Sequence, residues 1–221
     1  MNTTQAISME FTRILAIRHG ETTWNQDKRL QGHLDIPLNE RGHWQAARAA
    51  VALREEPIAA VYSSDLARAH QTACAIATAL GLAVQSHRGL RERHFGDFQG
   101  RTWTELEIEE PEATLAWRSR VPDFAPRGGG ETLLQLRERI ATTLNEIAAR
   151  HRGEQIVVVA HGGVLDMLYR LATGLELQAP RTWTVENAAI NRLLWTPGGL
   201  SLVGWADASH LEDGSDDDVG A

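Results

Sequence analysis

Short apolar runs that stop at polar clusters recur along the chain, and stretches with apolar residues at helical spacing lie between them. Arg13-Ile14-Leu15-Ala16-Ile17 ends at Arg18-His19-Gly20-Glu21-Thr22 and predicts a buried strand running into a loop. From Glu40 to Arg54 apolar positions follow a helical period, with Asn39 placed to cap the start. Ile58 to Tyr62 predicts a second strand, after which Ser63-Ser64-Asp65 opens a helix expected to run through Ala79 and stop at Gly81. A long helix is expected from Glu131 to Arg150. Gln155 to Ala160 is the strongest strand pattern, and His161-Gly162-Gly163 leads from it into a helix reaching Leu171. Ala189 to Trp195 and Leu200 to Trp205, separated by Pro197-Gly198-Gly199, predict a hairpin.

Strands alternating with helices predict an α/β three-layer sandwich: a mostly parallel central sheet with helices on both faces. The closing hairpin requires one antiparallel strand. A single domain is expected over residues 1–208. Within it, Arg101 to Gly130 is less regular, with Pro111, Pro122 and Pro126, and is long enough to be a small cap inserted over a site. Gly128-Gly129-Gly130 reads as a turn rather than an anion cradle.

Charge changes the picture once its distribution is considered. The chain carries −7, but Glu212, Asp213, Asp216, Asp217 and Asp218 place −5 of it in residues 209–221, so the rest is near −2. That tail is poor in groups to bury and is expected to be disordered. No basic stripe with interleaved aromatics is present, which argues against nucleic acid as a partner. No stretch has the apolar length of a membrane span, and Met1 to Glu10 lacks the pattern of a secretory signal. Cys74 is the only cysteine, so intramolecular disulfides and cysteine-rich zinc sites are excluded and a cytoplasmic setting is expected. A homodimer is the one macromolecular partnership left open.

Candidate chemistry gathers at the strand ends. Arg18-His19-Gly20 follows the first strand, Ser63-Ser64-Asp65 leads to Arg68 after the second, and His161-Gly162-Gly163 follows Val159 and Ala160. Carboxyl ends of strands in open α/β sheets converge on one crevice, so these groups are expected to meet. Two histidines and two arginines at one point suit a phosphate dianion, because guanidinium forks match its oxygens in geometry and charge. The same arginines disfavour an imidazolium, keeping a ring nitrogen free to attack phosphorus. The Gly162 and Gly163 amides at a helix start are expected to add anion-binding dipoles. Glu92 is the candidate acid for the leaving oxygen.

At these residues the chain resembles the histidine phosphatase superfamily, which includes the cofactor-dependent phosphoglycerate mutases. The matching motifs run in order: Arg18-His19-Gly20-Glu21-Thr22 with Trp24-Asn25; Gln31-Gly32; Ser64-Asp65-Leu66-Ala67-Arg68-Ala69; Leu90 and Glu92 with Phe95-Gly96; Gly130-Glu131-Thr132; His161-Gly162-Gly163; and Asn187-Ala188-Ala189-Ile190. The resemblance implies His19 as phosphoryl acceptor, Arg18, Arg68 and His161 as its holders, and Glu92 as proton donor. Thr22, Asn25, Gly162 and Arg118 are the further candidates for contact with substrate. It implies a small phosphorylated substrate, no metal and no cofactor. Two departures weaken the mutase reading: Phe95 stands where the mutases usually have a Tyr, and Ser119 follows Arg118 where they tend to have a second arginine. Hydrolysis of a phosphate monoester is therefore expected, with phosphoglycerate mutase activity as the alternative. A catalytically dead phosphate-binding module ranks last, because no core residue is lost. His33, His43, His70, His87, His94, His151 and His210 carry no functional expectation, and Cys74 is assigned to packing.

Overall fold

The computed structural model describes residues 11–212. In chain order the elements are β1 (Thr12–Arg18), α1 (Thr23–Gln26), α2 (Glu40–Leu53), β2 (Ile58–Ser63), α3 (Ala67–Leu80) and β3 (Val84–Ser86). They continue with α4 (Trp103–Glu109), α5 (Pro111–Arg118), α6 (Leu133–Ala148), β4 (Gln155–Ala160), α7 (Gly162–Thr173), β5 (Ile190–Thr196) and β6 (Gly199–Asp207). The six strands form one sheet in the order β3-β2-β4-β1-β5-β6. Strands β1 to β4 are mutually parallel, and β5 runs against both of its neighbours, β1 and β6.

Continuous apolar strands mean that both faces of the sheet are covered, and the side-chain alternation shows how. Ile14 and Ala16 of β1, with Ile156 and Val158 of β4, pack against Leu136, Ile140 and Leu144 of α6 and Val164 and Leu168 of α7. Leu15 and Ile17, with Val157 and Val159, pack on the other face against Ala49 and Leu53 of α2 and Ala73 and Ile76 of α3. All six residues of β4 are buried, as its central place demands.

Cap chemistry explains most of the helix ends. The Asn39 side chain accepts from the Gly42 amide at the start of α2, and Gly81, at φ 69°, closes α3. Three expected details are corrected. Ser63-Ser64-Asp65 does not open α3, which starts at Ala67 with no cap from its own segment. Asp65 is bound instead by Arg91, and Asp35 from another loop accepts the Ala67 amide. Glu131 precedes α6, whose start is a reciprocal cap between Thr132 and Gln135. Within the tail expected from residue 209, Ser209–Leu211 form a 3-10 turn held on α2 through Arg48 Nε and the His210 carbonyl, 2.7 Å apart. The remaining acidic positions, 213–221, lie outside the described residues.

The less regular stretch from 101 to 130 contains α4 and α5 and ends in the expected glycine turn, where the Gly130 amide donates to the Pro126 carbonyl at 3.0 Å. Among the described residues no helix is long and apolar enough to cross a membrane. Ile156 is fully buried in the central strand. Ile156→Ala should lower stability by about 2–5 kcal/mol, read as a lower urea midpoint at unchanged slope. A loss below about 1 kcal/mol would show that the site collapses freely and that β4 is not the packed centre.

Candidate active site

Adjacent strands β1 and β4 send their following helices to opposite faces, α2 to one and α7 to the other. That divergence opens a crevice at their carboxyl ends, where open α/β sheets hold ligands. The strand register pairs Arg18 with Ala160, so the next residues on each strand, His19 and His161, emerge side by side. The His19 amide donates to the Ala160 carbonyl at 3.0 Å, and the two imidazole centroids lie 5.2 Å apart.

Both rings are buried. Burial first, then the Arg68 and Arg18 charges, holds His19 well below the ordinary imidazole value of 6.5, and His161 is lowered by burial and the same neighbouring cations. His19 Nδ1 lies 2.7 Å from the Gly20 carbonyl, which can only accept, so Nδ1 carries the proton and Nε2 keeps its lone pair. Gly20 and Gly42 are required here: a side chain on Gly20 would collide with the Gly42 backbone, and the loop carrying His19 would lift off α2.

The two arginines are held by carbonyls, which orient them without neutralising them. Arg68 donates to the carbonyls of Leu34 and Gly32 at 2.9 and 2.8 Å, and Arg18 to that of Val185 at 2.7 Å. Burial lowers Arg68 to about 10, with the Glu92 charge opposing the shift. The Nε atoms of Arg18 and Arg68 and both ring nitrogens of His161 are buried with no partner among the described residues. Asn25 joins this cavity, and Asn187 reaches both the His19 carbonyl (2.8 Å) and Asn25 Oδ1 (3.4 Å).

Glu92 is buried on the loop that follows a 3-10 turn at Arg88–Leu90. Its carboxylate accepts from the Gly163 amide at 3.0 and 3.1 Å and from the Arg93 amide at 2.8 Å. A side chain on Gly163 would strike the Glu92 carboxylate, which explains the second glycine after His161.

His19, Arg18, Arg68, Asn25 and Glu92 line one cavity of about 380 Å³, and His161 stands behind it against His19. A larger chamber of about 870 Å³ adjoins it through Arg18, Leu30, Phe95 and Trp103. Three expected contacts lie outside the inner cavity. Thr22 does not line the inner cavity: its hydroxyl caps α1 and donates to Asn25 Oδ1 (3.2 Å), so it orients Asn25. The Gly163 amide is committed to Glu92, leaving Gly162 at the chamber wall. Arg118 lies in the outer chamber, paired with Glu107 at 2.5 Å and over the Trp103 ring at 5.5 Å.

Residues with no expectation attached also sit close by. His33 Nε2 donates to the Glu92 carbonyl at 2.8 Å, and Gln31, Lys28 and Arg29 line the inner cavity. Arg93, Arg120 and Arg181 line the outer chamber. Their signal is tertiary; no spacing in the chain links Arg181 to His19. Among the described residues no group of three His, Cys, Asp or Glu side chains converges to hold a metal ion.

A family model described as histidine phosphatase superfamily, branch 1, matches residues 14–208. The chain belongs to the histidine phosphatase superfamily. Among its superfamily relatives, the Arabidopsis thaliana phosphoglycerate mutase-like protein 4 is 43% identical over 208 residues, 93% of this chain and 89% of the relative. The metal-independent phosphoserine phosphatase of the same plant is 42% identical over 207 residues, 93% of this chain and 85% of that one. A solved mycobacterial glucosyl-3-phosphoglycerate phosphatase superposes with a TM-score of 0.80 at 32% identity, covering 90% of this chain and 100% of the other. The sheet described above, with its single antiparallel strand, is shared with these histidine phosphatase structures.

The lowered imidazoles make a direct prediction. Ring resonances of His19 and His161 should keep their neutral-form positions through an NMR titration down to well below pH 6.5. A midpoint at or above 6.5 for either ring would show that the buried arginines do not set its charge.

Proposed function

We propose that this histidine phosphatase is a phosphomonoesterase that releases phosphate from a small phosphorylated metabolite through a phosphohistidine at His19. The observation that carries the reading is one cavity joining a neutral, Nδ1-protonated imidazole to two buried arginines, with a carboxylate beside them. The buried Nε–H groups of Arg18 and Arg68 and the one N–H of a neutral His161 are donors of the kind that phosphate oxygens satisfy.

His19 Nε2 attacks phosphorus, forming an N–P bond as the P–O bond to the alcohol breaks. Positive charge developing on the ring is eased by the Nδ1–H bond to the Gly20 carbonyl. Arg18, Arg68 and His161 neutralise the equatorial oxygens, and Asn25, fixed by Thr22 and Asn187, adds a polar contact. Glu92 gives its proton to the leaving oxygen. It then takes a proton from water as that water attacks phosphorus and breaks the N–P bond, which restores His19 and releases phosphate. The Gly163 and Arg93 amides hold the carboxylate in place for both steps.

Helices α4 and α5 form the cap over this cavity, with Trp103 and Phe95 at the boundary between the two chambers. Among the described residues the outer chamber is lined by Arg18, Arg93, Arg118, Arg120 and Arg181 and by no carboxylate; Arg118 and Arg120 are paired with Glu107 and Asp166 behind it, and the remaining arginines favour a leaving group with negative charge of its own. Phe95 offers an aromatic edge to Trp117 where a Tyr would offer a hydroxyl, and Ser119 lines the chamber where a second arginine would grip an acid. Water, in large excess, is then the favoured acceptor of the phosphoryl group.

His19→Ala should abolish phosphate release with an unchanged circular-dichroism spectrum, and turnover within tenfold of the parent would remove His19 from the chemistry. Charge neutralisation by arginines also predicts activity that survives EDTA; loss on chelation with recovery on added Mg²⁺ would contradict it. The acceptor is decided by incubating the protein with 3-phosphoglycerate, with and without 2,3-bisphosphoglycerate. Inorganic phosphate should form faster than 2-phosphoglycerate. Isomerisation outrunning phosphate release would make the chain a mutase.

A further inference from the structure

Glu92 sits on a loop with little structure of its own, yet its proton has to be delivered to one oxygen. A 3-10 turn at Arg88–Leu90 and one buried apolar side chain, Leu90, are the loop's local anchors. Arg91 ties the loop to Asp65 and His33 reaches the Glu92 carbonyl, and the most extensive hold comes from α6. Arg139 Nη1 donates to the carbonyls of Gly89 and Arg91, both at 2.8 Å, and Nη2 to that of Glu92 at 3.3 Å. The same guanidinium forks onto Glu131, Nε to Oε1 at 2.8 Å and Nη2 to Oε2 at 2.6 Å. Glu131 closes the ring: its amide donates to the His94 carbonyl at 2.8 Å, and its carbonyl accepts from Arg93 Nε at 2.7 Å. Gly89 is pressed so close to Thr143 of α6 that any side chain would collide with its hydroxyl.

We infer that Arg139 is the positioning residue of the acid step: one guanidinium, itself fixed by Glu131, clamps three carbonyls of the loop and so sets where the Glu92 carboxylate stands relative to His19. This rests on the reading of Glu92 as the proton donor. The geometry suits a guanidinium and no other side chain. Five N–H groups in one plane serve three carbonyls and a carboxylate at once, whereas an ammonium on a flexible stem offers three donors and no fork. Arg139 touches neither inner cavity nor outer chamber, so it acts through the loop. When Arg139 is lost the Glu92 carboxylate keeps its Gly163 and Arg93 amides and the Glu92 carbonyl keeps His33, but the Gly89 and Arg91 carbonyls lose the guanidinium that ties them to α6.

An acid step matters most when the leaving group is a poor one, and this separates positioning from general support of the fold. An alkoxide has to be protonated as it leaves; p-nitrophenolate leaves unaided. The parameter kcat/KM covers events up to the first irreversible step, here the departure of the alcohol. The experiment compares kcat/KM for O-phosphoserine and p-nitrophenyl phosphate in the parent, Arg139→Gln, Arg139→Lys and Glu92→Gln, each checked by circular dichroism. Arg139→Gln should lose at least about tenfold on O-phosphoserine and less than about threefold on p-nitrophenyl phosphate, a smaller version of the selective loss in Glu92→Gln. Arg139→Lys, which keeps the charge beside Glu131 but not the fork, should fall between parent and Arg139→Gln and serves as the test if the glutamine variant does not fold. Equal losses on both esters, or none, in the arginine variants while Glu92→Gln stays selective would overturn the positioning role alone. Glu92→Gln losing equally on both esters would instead overturn Glu92 as the acid and the positioning role with it.

Discussion

The site depends on burying two guanidinium charges side by side, next to two imidazoles that stay neutral. Arg18, Arg68, His19 and His161 share one crevice, and desolvating the two arginines is costly. The fold meets that cost with dipoles. Carbonyls of Gly32, Leu34, Val185 and Gly20 accept from these groups, while the carboxylates nearby are engaged elsewhere. Asp65 is held by Arg91, Asp166 by Arg120 and Arg170, and Glu131 by Arg139. Among the described residues Glu92 is the one acid that lines the cavity, and it is fixed by amides rather than by an arginine. The positive charge of the crevice thus stays available to an anion.

Much of this was legible in the chain because the strands are central. Runs such as Ile156-Val157-Val158-Val159 leave no alternative to a strand covered on both faces, and the polar residues that stop such runs are forced to the sheet's carboxyl edge. That logic alone places His19, His161 and Arg68 together. What resisted reading was short or tertiary. The three residues of β3 are too few and too exposed for an apolar period to register. Helices α4 and α5 carry local signals: Thr102 and Glu105 form a reciprocal cap, and Pro111 sits in the first turn of α5. The prolines of the stretch from 101 to 130 interrupt its pattern, yet Pro111 marks a helix start.

Some residues beside the site serve another residue. Thr22 and Gly163 stand beside chemistry in the chain, yet both are spent on support, one orienting Asn25 and the other holding Glu92. Arg139 lies eight positions beyond Glu131 in a helix whose period explains it as surface, and only the folded loop reveals its three carbonyl partners. Motif position therefore predicts proximity to the reacting atoms better than it predicts contact with them.

Keeping the imidazoles neutral has a thermodynamic consequence with a definite sign. In the unfolded chain both histidines take up protons near the ordinary value of 6.5, whereas in the folded state they resist doing so until well below it. Over the window between the folded and unfolded values the unfolded chain binds more protons, so stability rises with pH there. The contribution is complete above 6.5 and is lost as pH falls toward the folded values. The burial and the guanidinium charges that keep the two rings neutral therefore also make the fold less stable in acid.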